Sequence, residues 1–338
     1  MTTGAATTLL DDEHVRIEHW QRGGEGTALV VTFDPLLYLW TRPPFGHEFL
    51  GKQGLDVVAV RKKEENFYQP LARTAFEAAL APLASRYPRV VVYGSSLGAY
   101  AALYFGRDLP WTVIASSPRV SAHPVYGTEV WQQRCEFLHE PFKPDVPARC
   151  NAVIFFDPRD AIDRRYLQGE VLPQFRSAEV VRVPFAGHPA NQFLGDIGYI
   201  APYVRAVIAD TERPTLQRRT HRARSATYHQ VLALLCVQHG HVAWADALVQ
   251  RALALNPKRM LAHRTLGLVR LAQQRWDEAQ NAIEAALTFD PYDPYSIALH
   301  AKARARGMAP VPAPAPPGLL SRVWRGLRRR AGGLRQRS

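Results

Sequence analysis

The stretch Arg89–Ala102, RVVVYGSSLGAYAA, constrains this chain more than any other. Val90-Val91-Val92-Tyr93 is a continuous β-prone apolar run and predicts a short buried strand. Gly94-Ser95-Ser96-Leu97-Gly98 predicts a sharp turn, and Ala99-Tyr100-Ala101-Ala102 opens a helix on mostly small residues. The spacing is G-x-S-x-G with Ser96 at its centre. A serine at such a strand-to-helix elbow sits in a strained backbone conformation with its hydroxyl pushed clear of the sheet, which suits a nucleophile. The flanking positions must be small, since a side chain at Gly94 or Gly98 would collide with the neighbouring strand or helix. The bare pattern is common, and the strand before it and the helix after it are what give this copy weight.

Around this element, strands and helices alternate. Val15–Trp20 reads as an edge strand, Thr27–Phe33 and Gly54–Val60 as central ones, and Pro70–Ser85 as a helix with apolar spacing at Leu71, Ala75, Ala78, Ala79 and Leu83. After the elbow come strands at Trp111–Ala115, Ala152–Phe156 and Glu179–Val183. Helices are expected from about Arg164 to Phe175 and from Pro189 to Ile208. Such alternation predicts an α/β domain over 1–210, with a mostly parallel sheet covered on both faces and its ligand site at the carboxyl ends of the strands.

Two loops follow strand ends in a suggestive order. Asp157-Pro158-Arg159-Asp160 follows one strand, and Pro184-Phe185-Ala186-Gly187-His188 follows the last. With the GSSLG elbow, this order of serine, acid and histidine resembles the α/β-hydrolase superfamily over roughly residues 15–210. The resemblance implies a catalytic triad of Ser96, His188 and an acid. The family's G-x-x-D turn favours Asp160, with Asp157 as the alternative and Asp163 or Asp145 behind them. It also implies two backbone oxyanion donors: Leu97, and a residue of the loop after Phe33. That loop departs from the family's His-Gly, having Asp34-Pro35-Leu36. Proline has no N–H, so the donor is Asp34 or Leu36, and a carboxylate beside an oxyanion is unfavourable unless it points away. Residues 119–149 read as a small cap or insert. Tyr126 and Trp131 within it, with Tyr38 and Trp40 beyond the oxyanion loop, are candidates for the substrate pocket, packing of the insert being the other role open to them. The chemistry implied is cleavage of a carboxylic ester, as in esterases, deacetylases or thioesterases, with no cofactor and no metal. Acyl transfer on the same triad and a catalytically weak scaffold are the competing readings.

The composition changes after residues 211–224, a basic linker. Asn256-Pro257 and Asp290-Pro291 lie 34 residues apart, each after an Ala-Leu pair. With the prolines aligned, Leu232, Ala233, Ala245, Val249 and Ala252 match Leu266, Gly267, Ala279, Ile283 and Ala286. The period and these positions resemble the tetratricopeptide repeat (TPR) over 225–308, which implies a protein partner. Two repeats and a final helix from Tyr295 to Arg306 are short for a free-standing solenoid, so the repeats are expected to pack on the first domain or on a second copy in a homo-oligomer. Residues 309–317 are a Pro/Ala-rich spacer. Residues 318–338 place Leu320, Val323, Trp324, Leu327 and Ala331 opposite arginines, an amphipathic helix for an anionic membrane surface or a disordered basic tail.

The net charge of +12 misleads if spread over the whole chain. Five arginines in 213–224 and seven in 322–337 account for all of it, so the body is formally neutral and no specific nucleic-acid partner is expected. The three cysteines, Cys135, Cys150 and Cys236, are far apart and fit a reducing compartment. The first residues lack a cationic segment followed by an apolar run, and no stretch reaches about 18 apolar residues. A cytoplasmic protein, peripheral at the inner membrane surface if the tail binds lipid, is the expectation.

Overall fold

A computed structural model describes residues 6–22, 28–38, 40, 42–217 and 221–304. The spacer 309–317 and the tail 318–338 lie outside the described residues. The chain divides into two compact units, Met1–Leu232 and Ala233–Ser338.

In the first unit the described residues form one eight-stranded sheet, in the order β1-β2-β4-β3-β5-β6-β7-β8. The strands are β1 Ala6–Asp11, β2 Val15–Trp20, β3 Leu29–Phe33, β4 Asp56–Lys62, β5 Val90–Ser95, β6 Thr112–Ser116, β7 Asn151–Phe156 and β8 Glu179–Arg182. At one edge β1 pairs antiparallel with β2 and β2 antiparallel with β4, and every remaining pairing is parallel. The α/β architecture expected from the sequence is therefore present, with β1 as an additional edge strand.

The central strands are apolar throughout because both faces are covered. Leu29, Val31 and Phe33 of β3 join Val58, Val60 and Val92 in one core. Val30, Val57, Val91 and Tyr93 face the other. This alternation is the period of two that a strand imposes. The first core is covered by α1 (Arg73–Ala84), through Phe76, Leu80 and Leu83, and by α2 (Leu97–Gly106), every residue of which is buried. The segment after β7 begins as α3 (Ala161–Tyr166), widens into a π-turn over Leu167–Val171 and ends at Gln174. The second core is covered by α4 (Ala190–Asp196) and α5 (Ile200–Ala209). All the loops at the carboxyl ends of β3, β5, β6, β7 and β8 thus open on one rim of the sheet.

Five further helices follow: α6 Ala226–Gln238, α7 Val242–Leu255, α8 Met260–Ala272, α9 Trp276–Phe289 and α10 Pro294–Arg304. They form a helical region that resembles TPR repeats. Ala245, Val249, Ala252, Ala279, Ile283 and Ala286 are all fully buried. A Cβ on Gly267 would lie 2.6 Å from Ile283 Cγ1, so only glycine lets α8 approach α9 this closely. Asn256 and Asp290 end their helices in extended conformations, as residues before proline do, and each accepts a backbone N–H two residues on.

Candidate active site

The turn between β5 and α2 has the geometry its glycines require. Ser96 adopts φ 55° and ψ −118°, a conformation non-glycine residues avoid. Its N–H donates to Ser116 O at 2.9 Å, and its carbonyl accepts from Ala99, Tyr100 and Arg119. These bonds hold the strained residue from both sides. A Cβ on Gly94 would lie 2.1 Å from the Gly98 carbonyl oxygen, and one on Gly98 would lie 2.3 Å from the Phe33 carbonyl oxygen. The elbow is therefore wedged between the helix it opens and the loop leaving β3. Leu97 is the first residue of α2, where backbone N–H groups have no acceptor inside the helix.

His188 reaches this serine from the loop after β8. Phe185 and Gly187 both have positive φ, 66° and 68°, and turn the chain back over the strand ends. Ser96 Oγ lies 2.8 Å from His188 Nε2. His188 Nδ1 lies 2.9 Å from Asp163 Oδ2. A carboxylate on Nδ1 fixes the proton there and leaves Nε2 free to accept one.

The acid on the imidazole is thus Asp163 and not Asp160 or Asp157. Asp160 is the N-cap of α3: its Oδ1 accepts from the N–H groups of Ile162 and Asp163 at 3.0 and 2.9 Å. Burial would raise its pKa, but the Arg119 charge, the Asp163 N–H and His188 hold it below the ordinary aspartate value. Capping at Asp160 starts the helix there, and the first turn of that helix carries Asp163 inward, where it is fully buried. Asp157 braces the loops instead, accepting from Arg159 N at 2.9 Å and Gly187 N at 2.8 Å, and burial raises its pKa. Asp145 makes no bond to His188 among those of the described residues. The spacing Asp-x-x-Asp occurs at both 157/160 and 160/163, so only the start of α3 at Asp160 separates the three carboxylates.

Arg119, which the sequence did not single out, organises this acidic corner. It directly follows Ser117-Pro118 beyond β6, and its guanidinium reaches Asp163 Oδ1 through Nε at 2.8 Å and through Nη2 at 2.6 Å. The same Nη2 lies 2.6 Å from Asp160 Oδ1. One cation thus neutralises two carboxylates and fixes the plane of the one facing the imidazole.

The loop after β3 explains how an aspartate is tolerated beside the elbow. The Asp34 side chain is buried and turned away, accepting from Phe45 N and Arg61 Nε, both at 2.9 Å. The pocket candidates are placed elsewhere. Trp40 lies under Arg61, 4.4 Å from guanidinium carbon to ring centre, and Tyr38 lies near Arg42. Tyr126 packs against His123 and Tyr166, and Trp131 edge-on to Phe67. None of these contacts is with Ser96 or His188.

The opening turns of α6, which lie in the first unit, brace the histidine loop. Asp196 Oδ2 accepts from Ser225 Oγ, Thr227 N and Thr227 Oγ1 at 2.7–2.8 Å. The Tyr228 ring is 6.1 Å from Phe185, and a Cβ on Gly187 would lie 2.6 Å from Val231 Cγ2. Nothing in the sequence of Gly187 pointed to a partner 44 positions away. Among the described residues no group of three or more His, Cys, Asp or Glu is placed to hold a metal ion, and no helix is long and apolar enough to cross a membrane.

No protein-family model matches the chain, and no curated protein matches it in sequence. Solved structures similar to it include Est1E from Butyrivibrio proteoclasticus, at 12% identity over 61% of this chain and 100% of that one, with a TM-score of 0.44. The capsule O-acetyltransferase of Neisseria meningitidis serogroup A is 12% identical over 59% of this chain and 92% of its own, with a TM-score of 0.43. The TPR domain of Arabidopsis OM64 is 19% identical over 26% of this chain and 74% of its own, with a TM-score of 0.25. Likenesses at this level leave the chemistry to the residues themselves.

Proposed function

We propose that the protein is a serine hydrolase acting on a carboxylic ester through Ser96, His188 and Asp163. The observation that carries this reading is the pair of short bonds on one imidazole, Ser96 Oγ at 2.8 Å on Nε2 and Asp163 at 2.9 Å on Nδ1. His188 Nε2 accepts the hydroxyl proton as Ser96 Oγ bonds to the substrate carbonyl carbon, and Asp163 stabilises the imidazolium. The carbonyl π-electrons move onto oxygen, where the Leu97 N–H donates. Collapse of this intermediate breaks the ester bond, and the leaving alkoxide takes the proton from His188. Water, deprotonated by the same imidazole, then releases the acid and restores Ser96.

The paired Asp34–Arg61 charges support an enzyme over a scaffold, because they remove the exposed carboxylate that would oppose an oxyanion. The TPR-like helices are proposed to dock a protein partner that localises the enzyme or presents its substrate. The test is labelling by a fluorophosphonate probe. Covalent modification of the wild type and none of Ser96→Ala is the expected result. A folded wild-type protein that takes no label contradicts the reading, and product analysis with added alcohols separates hydrolysis from acyl transfer.

A further inference from the structure

The loop after β3 leaves one backbone donor for the oxyanion, and we propose that it is the Leu36 N–H, set in place by the buried ammonium of Lys62. This rests on the Ser96 reading above and makes it specific. The Asp34 N–H points to Val60 O at 3.4 Å, continuing the β3–β4 ladder. Pro35 has no N–H. The Leu37 N–H donates to Glu65 Oε2 at 2.6 Å. Among the hydrogen bonds of the described residues, none uses the Leu36 N–H.

The direction of that N–H follows from its own peptide plane. The only cis peptide among the described residues is His188–Pro189, so the Pro35–Leu36 peptide is trans and its C=O and N–H point to opposite sides. Lys62 Nζ holds the Pro35 carbonyl at 2.8 Å. The Leu36 N–H therefore faces away from Lys62. The loop leaves β3 directly over the first turn of α2: a Cβ on Gly98 would lie 2.3 Å from Phe33 O and 3.5 Å from Asp34 O. Leu97, the other donor, is in that same turn.

Lys62 is built for this task. It is the last residue of β4, and its side chain is 3% exposed. Its Nζ also lies 3.5 Å from Asp34 O, 5.1 Å from the Tyr68 ring centre and 3.7 Å from Glu65 Oε1. Tyr68 OH adds a bond to Asp34 O at 2.9 Å. The ammonium and Glu65 thus grip both sides of an irregular segment, one on carbonyls and the other on the Leu37 N–H, where φ is +54°. A charge is not required by the β4 ladder at this position. The ammonium holds the Asp34 and Pro35 carbonyls and so fixes the peptide that carries the Leu36 N–H.

Replacing the Leu36 amide by an ester, through incorporation of the α-hydroxy analogue of leucine, deletes this N–H alone. With p-nitrophenyl acetate the expected result is a kcat lower by about 10²-fold with KM changed less than about twofold. Affinity for a trifluoromethyl ketone, whose adduct carries the oxyanion, falls by the same factor. Lys62→Met combined with Glu65→Gln, and Lys62→Arg alone, are expected to lower kcat by about tenfold with the same signature. An ester variant with wild-type kcat overturns the donor assignment. A folded Lys62 variant with wild-type kcat and ketone affinity overturns its positioning role. A wild type that neither turns over the ester nor labels at Ser96 sinks the hydrolase reading itself, whereas turnover with a fully active ester variant sinks only this inference.

Discussion

The two sides of the candidate site are held by different forces. The Ser96 elbow is set by backbone geometry and apolar packing: two glycines that admit no Cβ, a helix buried along its whole length, and aromatic rings against it. Tyr100 and Tyr104 of α2 pack on His139, whose ring is stacked 3.9 Å from Tyr104 and bonded to Tyr100 OH at 2.7 Å. Burial pushes the His139 pKa down to about 4, so the ring is neutral. The acid–histidine side is set by charge. Arg119 joins Asp160 and Asp163, and Asp157 ties two loops together. Geometry of the first kind has few sequence solutions, while geometry of the second kind has many.

The largest expected effect is on the first side. Gly94→Ala places a Cβ 2.1 Å from backbone that cannot move without shifting α2, and we expect a loss of more than about 4 kcal/mol in chemical denaturation, or no folded protein. A variant that melts like the wild type would show that the elbow is looser than its close approach implies. Gly187→Ala tests whether the charged side also depends on backbone. Positive φ and the 2.6 Å approach to Val231 together predict a loss of about 2–4 kcal/mol. Val231→Ala should recover part of it, because it relieves the contact and leaves the strain. No recovery would mean that the contact does not matter.

Acid should separate the two sides. His139 binds a proton less readily folded than unfolded, so stability falls as pH drops from about 6.5 towards 4, by up to about 3 kcal/mol, and levels off below. The Asp160 pKa is lowered in the fold, so its contribution is present above the unfolded value near 3.8 and is lost only below it. Denaturation of His139→Gln between pH 7 and 4.5 should show a flatter profile than the wild type. An equal slope would assign the acid loss elsewhere.

The same contrast explains what the sequence revealed. The elbow was legible because only glycine fits at 94 and 98, and the central strands were legible because both their faces are apolar. β1 was not, since Ala6–Asp11 is only partly buried and carries no core pattern. The carboxylate bonded to His188 lies three residues beyond the one the sequence favoured, because carboxylates at 157, 160 and 163 look alike until the start of α3 assigns each a direction. Arg119 and Lys62 read as ordinary surface cations, and their roles appear only when the strands bring distant carboxylates and carbonyls to them. The TPR positions were legible for the reason the elbow was: Gly267 lies where no side chain fits.

The central claim, that Asp163 is the acid on His188, is tested most directly by kcat/KM for p-nitrophenyl acetate in two matched variants. Asp160→Asn keeps a good helix cap, and Asp163→Asn is nearly isosteric in its buried site. We expect Asp163→Asn to lose about 10³–10⁴-fold and Asp160→Asn to stay within about tenfold of the wild type. The reverse order, with Asp163→Asn active and Asp160→Asn inactive, would contradict the account.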